Sequence, residues 1–202
     1  MIAQIKQELE KAQFVVVGIG RELAVKEGSP EELQHLRNAY AGLKKLLAHK
    51  VYFVLTQNED TLLFESGIPS FLAAAPYAPE PYNSEEQWKA YMNFLSGTLG
   101  HETCLLELGA GFDAMQLIRW PFEKTVEYNQ KAHLVRVHRS LYMLPEGMEG
   151  RGTAVAMDAA ELLVSVQDIS EKACDTYFWK MLKNRVTHVR VSGGISRQGT
   201  SL

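Results

Sequence analysis

The sequence VYFVLTQNED at residues 51–60 changes within a few positions from an unbroken apolar run to a cluster of amides and acids. β-branched and aromatic residues without polar alternation are typical of a strand covered on both faces in a parallel sheet. The polar cluster marks the carboxyl end of that strand, which is where open α/β sheets bind ligands. The residues that we expect beside such a crevice are Thr56, Gln57, Asn58 and Asp60. The alternative is an ordinary solvated strand end.

Two other strands of the buried type end in glycine turns. The apolar run at residues 14–17 leads into GIG at 18–20, and the run at 103–108 leads into GAG at 109–111. Glycines permit tight turns and close backbone approach, and the free N–H groups of a following helix can face a phosphate. A plain turn between strand and helix explains the pattern as well. Because both units share one design, we expect the two turns side by side at the carboxyl edge of one sheet.

Helical patterns separate these strands. Ser29, followed by a proline and two glutamates, has the features of a helix N-cap, and Ser84 begins another helix. Alternating strands and helices predict an α/β fold with a doubly wound, Rossmann-like parallel sheet, in a single domain over residues 1–202. Four prolines between Pro69 and Pro81 predict an extended surface loop within that domain.

Composition narrows the classes of function. The chain has 202 residues, of which 46% are apolar, and its net charge of −3 offers no field for nucleic acid or an anionic membrane. It contains no apolar stretch of membrane-spanning length and no apolar signal-peptide centre, so we expect a cytoplasmic protein. Cys104 and Cys174 have no spacing that suits a metal site or a disulfide framework, and we expect no bound metal.

Several motifs resemble those of sirtuins, which are NAD-dependent deacylases and ADP-ribosyltransferases on a Rossmann-like fold. The segment TQNED at residues 56–60 is similar to the sirtuin TQNxD segment. The string LELGAGFDAMQLIRWPFEK at residues 106–124 resembles LELGxGxNTPxIIrxPF of the macrodomain-linked branch (class M). Together with the WxxY helix at Trp88 and Tyr91, the resemblance covers roughly residues 12–165. It implies the NAD/FAD-binding fold of the sirtuin large domain.

The resemblance also implies a site and its ligands. NAD or ADP-ribose would be the nucleotide ligand, and a protein would be the acceptor substrate. Asn58 and Asp60 would orient the ribose and the carboxamide as nicotinamide leaves, and are the implied catalytic residues. The implied cofactor-binding set is Gly18, Ile19, Gly20, Gln57, Gly109, Gly111, Phe112, Asp113, His138 and Asp158. Helix capping explains Asp158 equally well. Arg119 is expected either at a diphosphate or on a neighbouring carbonyl or carboxylate.

The chain departs from sirtuins where these carry a catalytic histidine and a four-cysteine zinc module. A proline-rich loop at residues 66–83 stands in place of that module, so no zinc is expected. Near the first glycine turn, Ile19 replaces the sirtuin alanine and Glu22 lies near the position of its serine. At the end of a later strand, His138 takes a position that is commonly asparagine in sirtuins.

Two functions from different classes follow from these observations. The first is an NAD-consuming deacylase or ADP-ribosyltransferase, which the TQNED segment favours. The second is a catalytically inactive nucleotide-binding or sensing module, which the missing histidine and the changes at Ile19 and Glu22 favour. A structural protein without a ligand is a third, weaker alternative. Residues 168–202 predict a helix and a strand but carry no recognisable chemistry.

Overall fold

A computed structural model describes residues 2–166 of the chain as a parallel sheet with helices on both faces. The strands are β1 (Phe14–Ile19), β2 (Val51–Thr56), β3 (Ala73–Ala74), β4 (Thr103–Leu108), β5 (Ala132–Val137) and β6 (Gly152–Val155). The helices are α1 (Ile2–Lys11), α2 (Pro30–Leu46), α3 (Leu62–Glu65), α4 (Glu85–Gly97), α5 (Trp120–Tyr128) and α6, described over residues 159–166. The helix and strand predicted after residue 168 lie outside the described residues.

The six strands follow the order β3-β2-β1-β4-β5-β6, and every neighbouring pair is parallel. The chain winds outward from β1 to β3 and then returns to β4 on the other side of β1. The strand order therefore reverses between β1 and β4, which is the point where open sheets form a ligand crevice. The predicted α/β fold with a doubly wound parallel sheet is confirmed.

Each face of the sheet buries its own apolar core. One core lies under α1, α2, α3 and α6 and includes Val15, Tyr40 and Leu106. The other lies under α4 and α5 and includes Leu105 and Phe122. Because neighbouring residues of a strand face opposite sides, strands covered on both faces are apolar at nearly every position. This explains the unbroken apolar runs in the sequence.

Two predicted helix starts are confirmed in detail. The Ser29 hydroxyl accepts a hydrogen bond from the Glu32 backbone nitrogen at the start of α2. Ser84 forms a reciprocal capping box with Gln87 at the start of α4. Each cap satisfies N–H groups that have no partner within the helix, a contribution of about 1 kcal/mol.

The proline-rich segment is not a loop throughout. It contains a single 3₁₀ turn, Ser70–Leu72, and then β3, which pairs with β2 at the edge of the sheet. Ala73 and Ala74 are both buried and face opposite sides of the sheet, Ala74 in the core under α4 and Ala73 in the core under α2. A two-residue edge strand leaves little exposed backbone for unwanted pairing. Within residues 2–166, no helix has the length and apolar character needed to cross a membrane.

Candidate functional site

The two glycine turns lie against each other at the carboxyl edge of the sheet. The Gly20 backbone nitrogen donates a hydrogen bond to the Leu108 carbonyl at 2.8 Å. A Cβ atom added to Gly20 would lie 2.3 Å from the Ala110 Cα atom, which is backbone that cannot move aside cheaply. The prediction that the turns are neighbours is therefore confirmed. Glycine is needed at residue 20 because the second turn packs directly on it.

Gly109 serves a similar close contact. Its φ of +65° belongs to the left-handed region, which favours glycine. A Cβ atom at this position would lie 2.5 Å from the Glu22 Cβ atom. The space over Gly109 is thus filled by the side chain of Glu22, which follows the first turn. The side chain of Ile19, also expected near a ligand, is fully buried in the core.

Glu22 is the centre of a polar cluster over the turns. Its Oε1 atom accepts hydrogen bonds from the Arg139 backbone nitrogen and from the Arg139 Nε atom, both at 3.0 Å. Its Oε2 atom accepts a hydrogen bond from the Ala159 backbone nitrogen at 3.1 Å, in the first turn of α6. The Glu22 side chain is only 7% exposed. Backbone N–H groups and a guanidinium thus surround the carboxylate as they would surround a phosphate.

Asp158 stands beside this cluster as the N-cap of α6. Its Oδ1 atom accepts hydrogen bonds from the Ala160 and Glu161 backbone nitrogens, and its Oδ2 atom accepts one from the Arg139 guanidinium. The capping alternative for Asp158 therefore describes its contacts, and both of its oxygens have protein partners. Sequence reasoning did not select Arg139, although its position directly after a strand end was a usable signal.

His138 is held as a neutral imidazole in the same region. Its Nδ1 atom accepts hydrogen bonds from the Ser140 and Leu141 backbone nitrogens, at 3.1 and 3.0 Å. This atom cannot then carry a proton, so its 3.3 Å separation from Glu22 Oε1 is not an ion pair. Burial lowers the pKa of His138, and the neighbouring Glu22 carboxylate offsets only part of that effect. The remaining proton is on Nε2, and because Nδ1 already accepts two hydrogen bonds, His138 has no free basic nitrogen.

A cavity of about 340 Å³ opens at the carboxyl end of β2, beside the first glycine turn. Its polar lining brings together three residues expected at the site, Gln57, Asn58 and Asp60. The complete lining is Arg21, Ala24, Val25, Gln57, Asn58, Glu59 and Asp60. A volume of this size accommodates a small ligand or one end of a larger one.

Two amides of this cavity have oxygen atoms without partners. The Gln57 Nε2 atom donates to Asp113 Oδ2 at 2.8 Å, and the Asn58 Nδ2 atom lies 3.4 Å from the Tyr40 hydroxyl. Neither Gln57 Oε1 nor Asn58 Oδ1 has a hydrogen-bond partner, and both atoms are buried. Buried acceptors are nearly always paired in folded proteins, so these two oxygens are the acceptors that a ligand or water in the cavity would meet.

Asp60 is fastened to the backbone at the floor of the cavity. Its carboxylate accepts hydrogen bonds from the Val25 and Leu62 backbone nitrogens, each at 3.2 Å. Burial raises the pKa of Asp60, although these hydrogen bonds act in the opposite direction. Burial of Tyr40 raises the pKa of its hydroxyl, and the negative charge of Asp60 raises it further. Tyr40 lies on α2, and no pattern in the sequence marked it as part of the site.

Asp113 connects the strand ends across the switch point. Its Oδ2 atom lies 2.8 Å from Arg21 Nε and accepts the hydrogen bond from Gln57. Three residues from the ends of β1, β2 and β4 therefore form one bridge. Phe112 remains 71% exposed, with the Arg119 guanidinium 5.9 Å from its ring centroid, and it does not line the cavity.

Arg119 contacts a carbonyl and a carboxylate of the protein, which is the second of the two roles expected for it. Its Nη2 atom donates to the Leu141 carbonyl at 3.0 Å, and its Nε atom lies 3.4 Å from the buried Glu107 carboxylate. Both contacts fasten the chain after β5 to the sheet. The side chain is nearly fully buried and contacts carbonyl and carboxylate oxygens of the protein.

The chemistry of these residues decides which groups could be held here. No protein-family model matches the chain, and no curated protein sequence matches it. Residues 2–166 contain no group of three or more histidine, cysteine, aspartate or glutamate side chains arranged for a metal ion. The free amide oxygens of the cavity suit the donors of a carboxamide or a ribose. Beside the two turns, in contrast, the Glu22 carboxylate already takes the hydrogen bonds of Arg139 and of the Ala159 backbone nitrogen.

Proposed function

We propose that this protein is a sirtuin-like binding module whose cleft takes the nicotinamide-ribose or ribose end of NAD, ADP-ribose or a related compound. The observation that carries this proposal is the cavity at the carboxyl end of β2, in which Gln57 and Asn58 each keep a buried oxygen without a partner. The sirtuin-like motifs TQNED and LELGAGFD supply the residues on both sides of the switch point.

Gln57 and Asn58 each bury an acceptor without a hydrogen-bond partner. A buried acceptor without a partner costs roughly 1–3 kcal/mol relative to one that is hydrogen-bonded. A ligand that donates from a carboxamide or from ribose hydroxyls would recover this cost at both Gln57 and Asn58. Shape and hydrogen bonding therefore favour such a ligand over a purely apolar one.

Binding without turnover is consistent with the positions of the histidines in residues 2–166, because none of them supplies a free base at the carboxyl edge of the sheet. A sirtuin-type reaction needs a general base near the ribose. Among residues 2–166, only His138 lies at the carboxyl edge, and its Nδ1 atom is occupied by two backbone N–H groups. The other described histidines are His35 on α2, His49 before β2, His101 before β4 and His133 in the first half of β5.

An NAD-consuming deacylase or ADP-ribosyltransferase is the second candidate. The observation in its favour is that Asn58 and Asp60 line the same cavity, as the implied catalytic pair requires. Such an enzyme would orient the ribose with Asn58 and the carboxamide with Asp60. It would also need a base from a group other than His138.

Calorimetric titration with NAD, ADP-ribose and nicotinamide riboside, followed by an assay for released nicotinamide, separates these functions. The module predicts saturable binding of at least one of the three, with no nicotinamide released from NAD on prolonged incubation. Release that depends on protein concentration would select the enzyme. Failure of all three compounds to bind would overturn both functions.

A further inference from the structure

We infer that Glu22 is a specificity-determining residue that takes the place of a ligand phosphate, so that among the ligands proposed above the cleft prefers a nucleoside to NAD, ADP-ribose and other phosphorylated forms. This inference rests on the proposed function, because it defines the ligand class of the same cleft. It concerns a residue that the resemblance to sirtuins left without a role.

Glu22 follows Arg21, which lines the cavity, and its Cβ atom lies over Gly109 of the second glycine turn. A ligand that begins in the cavity and extends over the turns therefore meets Glu22. This direction leads toward the ends of β5 and β6, where Arg139 and Ala159 contact the carboxylate.

Three hydrogen bonds hold the Glu22 carboxylate. Two backbone N–H groups, from Arg139 and Ala159, reach different oxygens of the same carboxylate. The Arg139 guanidinium adds a third hydrogen bond and bridges to Asp158. Peptide N–H groups together with an arginine are the donors that proteins use for phosphate oxygens. Glu22 already uses all three of these donors.

The charge of the Glu22 carboxylate opposes a phosphate at this position. A phosphate brought to this position would lie within a few ångströms of a carboxylate that is 7% exposed, and the repulsion between like charges is poorly screened there. Displacing Glu22 instead would remove its three hydrogen bonds. Like charges placed together at a binding interface act against the wrong ligand. A nucleoside, which lacks the phosphate, incurs neither penalty.

Nicotinamide riboside and nicotinamide mononucleotide test this inference, because they differ only in one phosphate. We expect wild-type protein to bind the riboside at least tenfold more tightly in calorimetric titration. Glu22→Ser, which removes the carboxylate and leaves room, should reduce this preference to twofold or less by strengthening mononucleotide binding. Glu22→Gln, which keeps the size of the side chain, serves if the serine variant does not fold.

Glu161→Gln is the matched control. Glu161 is exposed on the first turn of α6. Its substitution removes one negative charge, as Glu22→Ser does, but leaves the Glu22 carboxylate in place. The Glu161→Gln variant should prefer the riboside to the mononucleotide as strongly as the wild type does. A uniform loss of preference in both variants would mean that overall charge, and not the position of Glu22, sets the selectivity, and the inference would fail.

Inorganic pyrophosphate gives a readout that does not depend on the nicotinamide cavity. Pyrophosphate should raise the melting temperature of Glu22→Ser and leave the wild type unchanged. If the wild type binds both nicotinamide compounds equally, or if the serine variant keeps the preference, the inference is wrong and the proposed function stands. If neither compound binds any variant, the proposed function is wrong, and pyrophosphate alone decides whether Glu22 occupies an anion position.

Discussion

Arg136 and Glu107 face each other in register on β5 and β4 and form a buried, two-pronged ion pair. The Arg136 Nε and Nη2 atoms donate to the Glu107 carboxylate at 2.7 and 2.9 Å, and both side chains are at most 1% exposed. Arg136 also donates to Glu123 on α5 and to the Met143 carbonyl. Burial raises the pKa of Glu107, whereas the guanidinium of Arg136 acts to lower it. This pair anchors the chain after β5, which carries the donors to Glu22.

We expect Arg136→Met to lower the free energy of unfolding by about 3–5 kcal/mol, because it leaves the Glu107 carboxylate buried with only the more distant Arg119 as a partner. Urea unfolding measures the change. The exposed pair between Lys124 and Glu127 is the control, and Lys124→Met should leave stability nearly unchanged. Similar effects of the two variants would show that the buried pair has no special weight in the fold.

A second prediction concerns the packing of the two glycine turns. Gly20→Ala should destabilise the protein by roughly 1–3 kcal/mol, since the new methyl group meets the backbone of Ala110 at 2.3 Å. Gly97→Ala is the matched control, because a Cβ atom there has no neighbour within 4 Å and alanine favours the helix. Thermal denaturation should therefore move in opposite directions for the two variants. A melting temperature for Gly20→Ala at or above that of the wild type contradicts the close packing.

The pH dependence of stability should report on His138. Its pKa is lowered in the folded protein, so below the ordinary value of about 6.5 the unfolded chain binds more protons at this residue than the native protein does. The contribution of neutral His138 is therefore complete above that pH and is lost as the pH falls further. In His138→Asn, the amide oxygen can accept from Ser140 and Leu141 without titrating.

The comparison of wild type with His138→Asn isolates this residue from Asp60 and Glu107, whose raised pKa values act with the opposite sign. We expect the stability difference between the two proteins to shift in favour of the variant from pH 7.5 to pH 5, measured by urea unfolding. A difference that is constant over this range would show that His138 titrates alike in both states.

The parallel sheet could be predicted because its strands are apolar on both faces. The apolar runs that end at Ile19, Thr56 and Leu108 are each followed by a polar or glycine-containing turn. This repeated pattern predicted that the three strands end at the same edge of the sheet. The edge strand at Ala73 was missed because two alanines among prolines have no strand signal. Its pairing depends on the room that small side chains leave under α4, which is a tertiary effect.

The candidate site was only partly predictable. The strand-end rule brought Gln57, Asn58 and Asp60 to one cavity. It could not show that Glu22 reaches across the second turn to Ala159, because 137 residues separate the two and the contact depends on how α6 returns to the sheet. Arg136 and Glu107 were also missed, since charges in apolar runs reveal their partners only once the strands are in register.

Asn58 is the residue whose mutation tests the cavity most directly. It is 3% exposed, so the strand end at this position is not solvated. Its backbone nitrogen donates to Thr56 Oγ1 at 3.1 Å, and its side chain has only the 3.4 Å contact with Tyr40. The fold therefore gains little from the side-chain amide, and its free oxygen is left for a ligand.

Asn58→Ala should weaken binding of nicotinamide riboside or NAD by roughly 1–2 kcal/mol, the cost of a lost hydrogen bond, while the melting temperature falls only slightly. Asn93→Ala is the control, because Asn93 is exposed on α4 and its substitution removes the same side-chain amide from a position outside the cavity. Calorimetry well below the melting temperature measures the affinity of the folded fraction. A purely structural Asn58 predicts a marked loss of thermal stability with unchanged affinity. That result, or no binding of either compound by the wild type, would end the assignment of the β2 strand end as a ligand site.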